Sequence, residues 1–414
     1  MRWGAARPSC RIVCACGVPP EPRTSRAAAR SGSPPEEPGF AGAGGIIGLF
    51  VSAAIIDNAT WPWVFALPIA LAAVSFALTA SFVPHSVEHT EAGFDVAGSL
   101  LSVVAVGGLV LAFHEGPEKG WTATITLAAI VAGLAATVAF VAVELRRDHP
   151  LLDVRIFALR GLAAGSVNLF VVFAVMFSLF LVLVQYLQAI LGYSALKAAS
   201  GLLPMAVMMM PLSTIAPTIA ERFGFRRTLV TGMLAMATGL VVFAVLADPQ
   251  GGYLTVLPGT LILGAGVGLA MSPSTAAITS SLPEEKQGVA SSLNDTVREM
   301  GGAVGIALIG SVLNAAYQAN VEPATAGLPP EVAHPVTEGI GGALAAAGQM
   351  GPNGATLIDA ARQSFVDAMM PALLLAAAVC AAAALFTAIR GPKTAAEAEP
   401  RLHTPEPQDN SGEP

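Results

Sequence analysis

Ten long apolar segments occupy this 414-residue chain between Gly39 and Arg390, most of them joined by short loops. An apolar run of about 20 residues, rising 1.5 Å per residue as a helix, crosses the roughly 30 Å hydrocarbon core of a bilayer. Only a helix or a closed barrel satisfies its own backbone hydrogen bonds there. Segments this long and continuous exceed what a barrel strand needs. The sequence therefore dictates an all-α, polytopic transmembrane helical bundle of about 10 spans. The segments fall at 39–56, 61–83, 96–114, 122–144, 162–191, 196–219, 228–247, 254–277, 289–316 and 367–389. The fifth and ninth are long enough to tilt or to project from the bilayer.

Composition agrees. Hydrophobic residues make up 54% and charged residues 12%, about half the ~25% charged of an ordinary soluble domain. The 42 glycines suit helices that approach closely in lipid. A net charge of −7 with no basic, aromatic-interleaved patch gives no sign of a nucleic-acid partner. No G-x4-G-K-[ST] phosphate loop occurs, and no cofactor is expected. Residues 1–38 are rich in Arg, Pro and Ser and lack the 7–15-residue apolar run of a signal peptide. They read as a disordered tail or as the product of a misassigned start. Their Cys10, Cys14 and Cys16 have no second ligand cluster nearby, so no metal is expected.

The positive charges alternate in density from loop to loop. One set of loops, with the tail, holds Arg146, Arg147, Arg155, Arg160, Arg222, Arg226, Arg227, Lys286, Arg390, Lys393 and Arg401; the other holds Lys119, Lys197 and Arg362. The positive-inside rule makes the first set cytoplasmic, with both termini inside. Residues 317–366 then form the one long external loop, in which Leu357, Ile358, Ala361 and Phe365 are spaced for a short interfacial helix.

Between the sixth and seventh segments the chain reads Ala220-Glu221-Arg222-Phe223-Gly224-Phe225-Arg226-Arg227. Gly224 permits a reversal, and Arg222, Arg226 and Arg227 can pair with Glu221 or with helix C-termini. Positive-inside anchoring alone also accounts for this run. Further runs are Trp61-Pro62-Trp63-Val64-Phe65, Phe94-Asp95-Val96-Ala97-Gly98, Gly120-Trp121, Gln185-Tyr186-Leu187-Gln188 and Leu191-Gly192-Tyr193-Ser194-Ala195. They continue with Gly201-Leu202-Leu203-Pro204 and Gly288-Val289-Ala290-Ser291, the latter followed by Asn294, Arg298, Gly301, Gly302 and Gly305. As an ordered set over residues 39–390, these resemble spans five to fourteen of the fourteen-span drug:proton antiporters of the major facilitator superfamily. There are departures. Gly48 precedes Leu49 where that family has a Gly-Pro pair, Ser52-Ala53 replace its double glycine, and the stretch after Phe65 is shortened to Leu67-Pro68.

The resemblance implies a domain plan. Residues 39–83 would be the last two helices of the N-terminal bundle, 84–160 a linker helix pair with its loops, 161–390 the C-terminal six-helix bundle, and 391–414 a disordered cytoplasmic tail. The first four spans of the family pattern would be missing, with another chain as one source for them. It also implies alternating access, with protons entering as a drug-like amphipathic or cationic small molecule leaves through the inner (plasma) membrane.

Several residues are candidates for that work. Ionisable groups inside spans are functional candidates by default. Asp295, Arg298 and Glu299 share one helical face and read either as a gating or proton-coupling network or as a helix end near the headgroups. Asn168, Gln185, Tyr186 and Gln188 read as a substrate wall or as interhelical hydrogen-bonding groups. His114 and Glu115 close the third span as an interfacial pair or as proton-passing groups. Gly44, Gly48, Gly264, Gly268, Gly301 and Gly305 are expected at close helix contacts; Gly264-Ala265-Gly266-Val267-Gly268 lacks the spacing of a dinucleotide loop. His85-Ser86-Val87-Glu88-His89 matches the H-x-x-E-H zinc pattern, without a third ligand or a helix to hold it. The leading reading is a secondary active transporter, not an enzyme. The alternatives are a non-transporting fragment of one and, far behind, a membrane-embedded metallohydrolase.

Overall fold

The computed structural model describes residues 37–82, 95–147, 154–282 and 287–392. Among them the regular structure is helical throughout. In order come α1 (Glu37–Asn58), α2 (Ala66–Phe82), α3 (Val96–Lys119), α4 (Thr124–Glu144), α5 (Arg160–Gln185), α6 (Ala195–Gly201) and α7 (Leu203–Phe223). They are followed by α8 (Phe225–Leu246), α9 (Tyr253–Ser280), α10 (Gln287–Val321), α11 (Pro330–Glu338), α12 (Ile340–Gln349) and α13 (Ala355–Arg390). Nine helical stretches among the described residues are long and apolar enough to cross a membrane, and Ile47–Asn58 of α1 is a shorter apolar one. Each of the ten expected segments is thus a helix.

The helices alternate in direction, and contacts between their ends keep the two sides apart. At one end Arg147 pairs with Asp95, Arg155 donates to the Leu145 carbonyl, and Arg226 donates to the Gly391 carbonyl. At the other, Asp57 accepts from the Ala195 and Leu196 amides, the Tyr186 hydroxyl donates to the Asp248 carbonyl, and Arg362 donates to the Ala189 carbonyl. The first end gathers Arg146, Arg147, Arg155, Arg160, Arg222, Arg226, Arg227 and Arg390 of the described residues, and the second Lys119, Lys197 and Arg362.

Glycines set the closest approaches. In lipid the helices gain little from burying apolar surface, so packing and backbone proximity hold them together. A Cβ at Gly239 would lie 2.6 Å from the Leu263 amide nitrogen, and one at Gly266 would lie 2.6 Å from that of Met236. Added carbons at Gly264 and Gly268 would strike the carbonyls of Met205 and Met209, and at Gly301 and Gly305 those of Phe170 and Ala174. These six glycines lock α8 on α9, α9 on α7 and α10 on α5. Gly108 and Gly133 do the same for α3 and α4, with a Cβ at Gly108 2.9 Å from the Gly133 Cα. Gly44 and Gly48 differ from the expectation of close packing: nothing lies within 4 Å of a Cβ at either.

The core lies among α5, α8, α9 and α13, where Leu183, Tyr186, Met236, Phe243, Leu263, Met369 and Cys380 are buried. The α3–α4 hairpin leans on α10, and α1 leans on α6 and α7. No residue of α2 is buried.

The connection after the ninth segment departs from expectation. α10 continues to Val321 and α13 begins at Ala355, so each is about 50 Å long at 1.5 Å per residue. Leu357, Ile358, Ala361 and Phe365 are not a separate interfacial helix; they form the first turns of α13. Leu357, Ala361 and Phe365 continue its buried stripe, and Phe365 meets Tyr317 edge to face at 6.4 Å. A continuous helix keeps every backbone bond made, where a break would leave eight terminal groups to satisfy.

Candidate functional site

A cavity of about 500 Å³ opens where α1, α5, α6, α7 and α10 converge. Leu49 and Phe50 line it from α1; Phe173, Met176, Phe177 and Phe180 from α5; Met205, Ala206 and Met209 from α7; Arg298 from α10. The apolar positions of α5 recur at helical spacing, so one face of a single helix presents three aromatic rings and a thioether. Its volume falls in the range of small-molecule sites, which are largely apolar with few polar groups.

Arg298 is the one charged side chain among the cavity's described lining residues. It lies about three turns into α10. Its guanidinium stacks over the Phe173 ring at 4.5 Å, and its Nη1 lies 3.5 Å from Asp295 Oδ1. That separation is long beside the 2.7–2.9 Å of a strong charge-assisted bond, and Asp295 is two-thirds exposed. Glu299 is exposed as well.

The other polar candidates lie elsewhere. Asn168 is fully buried and donates to the Ala164 carbonyl at 2.7 Å and to Thr387 Oγ1 of α13 at 2.7 Å. Tyr186 is fully buried, with its ring edge-on to Phe243 and its hydroxyl 2.9 Å from the Asp248 carbonyl. Both tie helices together, and neither lines a described cavity. Gln188 is exposed. Gln185 lines a cavity of about 190 Å³ with Asn314, Tyr317 and Phe365. Tyr186–Ile190 is a π-helical extension of α5; such bulges recur where a helix is re-aimed for function.

Next to that cavity a space of about 860 Å³ separates α3 from α10, edged by Phe113, His114, Ile306, Asn314, Gln318 and Glu338. Glu115 pairs with Lys119 at 2.5 Å, one turn on, because α3 runs past the expected end of its span.

In the Glu221–Arg227 turn the structure shows a glycine reversal and one arginine contact. Gly224 takes φ +98° and closes α7 through its amide on the Ala220 carbonyl. Arg226 then reaches the C-terminus of α13, with Nε 2.7 Å from the Gly391 carbonyl and Nη2 on the same oxygen. A cation suits the carbonyl end of a helix. Glu221, Arg222 and Arg227 are exposed.

One cluster had not been singled out. Among the described residues the buried charged side chains are Asp95 and Glu144. Asp95 caps α3 through the Gly98 amide at 2.7 Å and pairs with Arg147 at 2.9 Å. A Cβ at Gly98 would strike both Asp95 Oδ2 and Glu144 Oε1. The signal available was an acid just before an apolar run, a helix-capping residue, facing a second acid at the end of the next run. His85–His89 and Cys10, Cys14 and Cys16 lie outside the described residues.

Alternating helices with a basic end, glycine-locked contacts and an apolar cavity inside the bundle define a multi-pass helical membrane protein. The chain belongs to the Major Facilitator Superfamily, whose sequence profile matches residues 18–306, more than half of its length. The match begins nearer the N-terminus than the quoted motifs do. Curated relatives include multidrug and lincomycin resistance proteins. The chain is 29% identical over 269 residues to the multidrug resistance protein Stp of Mycobacterium tuberculosis, covering 65% of this chain and 50% of Stp. It is 29% identical over 348 residues to the multidrug efflux pump LfrA of Mycolicibacterium smegmatis, covering 84% and 68%. It is 26% identical over 296 residues to the lincomycin resistance protein LmrB of Listeria monocytogenes, covering 71% and 62%. The chain thus spans about half the length of Stp and about two thirds of LfrA.

Proposed function

We propose that this chain acts as a proton-coupled efflux transporter that moves drug-like amphipathic small molecules across the plasma membrane by alternating access. The observation that carries the reading is the apolar cavity between α1 and the helices α5, α7 and α10. Transporters of this architecture bind substrate between their halves near mid-membrane. The kinship with Stp, LfrA and LmrB supports export as the direction. The charge bias of the two ends supports a cytoplasmic placement of Arg227 and of both termini. Arg298, with Asp295 and Glu299, is the proposed gating group; the substrate wall is Phe173, Met176, Phe177 and Met209.

The test is dye efflux from proteoliposomes with an imposed proton gradient. Gradient-dependent efflux that falls at least about tenfold in Arg298→Ala, with insertion unchanged, is expected. Stable insertion with no efflux overturns the reading and favours a second one: a non-transporting bundle that needs helices of another chain to close its cavity. The wholly unburied α2 favours that alternative. Impermeant thiol labelling checks the orientation, with a cysteine at Lys119 labelled from outside and one at Arg227 protected.

A further inference from the structure

We infer that the α1–α5–α7–α10 cavity selects amphipathic molecules carrying an anionic or strongly hydrogen-bond-accepting end, and rejects lipophilic cations of the same shape. The inference deepens the proposed function and rests on its assignment of this cavity to substrate. It concerns the sign of charge, which the relatives' names leave open, and it departs from the cationic option that the family resemblance implied.

Arg298 is the argument. Its guanidinium keeps its charge at any ordinary pH and offers five donors with no acceptor. Its central carbon lies over the Phe173 ring, 4.5 Å from the centroid, which spends one π face on the protein's own cation. The acid near it, Asp295, stands 3.5 Å off, is two-thirds exposed, and is not among the cavity's lining residues. Glu299, one residue on, is exposed. Apart from the long Asp295 contact, the guanidinium faces phenylalanine and methionine side chains on the cavity side, which offer at most a weak sulfur acceptor. The Arg298 side chain is 39% exposed, and a carboxylate, sulfonate or phenolate would satisfy those donors with charge-assisted bonds against the apolar wall. A cation would meet like charge there, and one of the cavity's four described phenylalanine rings already receives the protein's own cation. The thioethers of Met176, Met205 and Met209 adapt to varied apolar shapes, so the wall is tolerant while the charge is selective.

Two ions of nearly the same shape and opposite sign, neither of which accepts a strong hydrogen bond, isolate the effect of charge: tetraphenylborate and tetraphenylphosphonium. Their dissociation constants are measured by titration calorimetry on the detergent-solubilised chain. Wild type should bind the borate more tightly, and Arg298→Gln should weaken the borate about tenfold or more and tighten the phosphonium. Arg298→Lys, which keeps the charge, should retain the order. Should Arg298→Gln not yield monodisperse protein, Met176→Glu puts an acid into the same wall and should invert the order. A wild-type preference for the phosphonium, or an order indifferent to these substitutions, overturns the inference. The ratio is read without a proton gradient. A chain that binds the borate but moves nothing therefore sinks only the transport reading, and one that pumps but prefers the phosphonium sinks only this one.

Discussion

At the scale of single residues, a missing side-chain carbon decides where helices meet. Gly305 faces the Ala174 carbonyl of α5, and no rotamer change can clear backbone. Gly305→Ala must push α5 and α10 apart, at a cost of about 1–3 kcal/mol, and should lower the midpoint of thermal unfolding in detergent. Gly44→Ala meets open space and should leave that midpoint unchanged or slightly raised, since alanine favours a helix over glycine by about 1 kcal/mol. The sequence shows both glycines in the same light, as small residues in apolar runs. Only the neighbour across the gap separates them. The same holds for polar residues. Tyr186 and Asn168 look like cavity groups because polar atoms in lipid need partners. The partners they found, Asp248 and Thr387, are protein.

At the scale of elements, the α3–α4 hairpin carries the buried acids Asp95 and Glu144, with Arg147 as counterion. Removing Arg147 leaves Asp95 buried without its charge partner, the costly way to break a buried pair. Arg147 is 42% exposed, so water screens the pair and the expected loss is about 1–2 kcal/mol. Arg147→Ala should show that loss in thermal unfolding, and Asp95→Asn in the same chain should recover part of it; additive losses would deny the coupling. The ends of the membrane segments were legible to within a few residues because apolar runs end where charge begins. The long starts and ends of α10 and α13 were not. Their extensions, such as Leu357 to Phe365, are apolar on one face only, a pattern shared by an interfacial helix and a buried one. What covers that face is Tyr317 and its neighbours, on a helix about forty residues away.

At the scale of the whole molecule, Asp57 joins the first helix pair to the rest by capping the start of α6 through the Ala195 and Leu196 amides, at 3.1 and 3.0 Å. Asp57→Ala should speed hydrogen exchange at those two amides and leave the α8–α9 contact protected; unchanged exchange would show that α1 is held by its apolar face alone. The apolar segments and their helical character, the charge bias between loops and the family motifs were determined by sequence alone. Bilayer thickness fixes the length of an apolar run, and backbone hydrogen bonding allows it little choice but helix. Which glycines lock helices, which polar atoms pair, and that Arg298 rather than Tyr186 faces the cavity were decided by tertiary structure. Every face of a membrane helix is apolar, so the sequence carries little record of which face turns inward; only packing against a particular neighbour settles it.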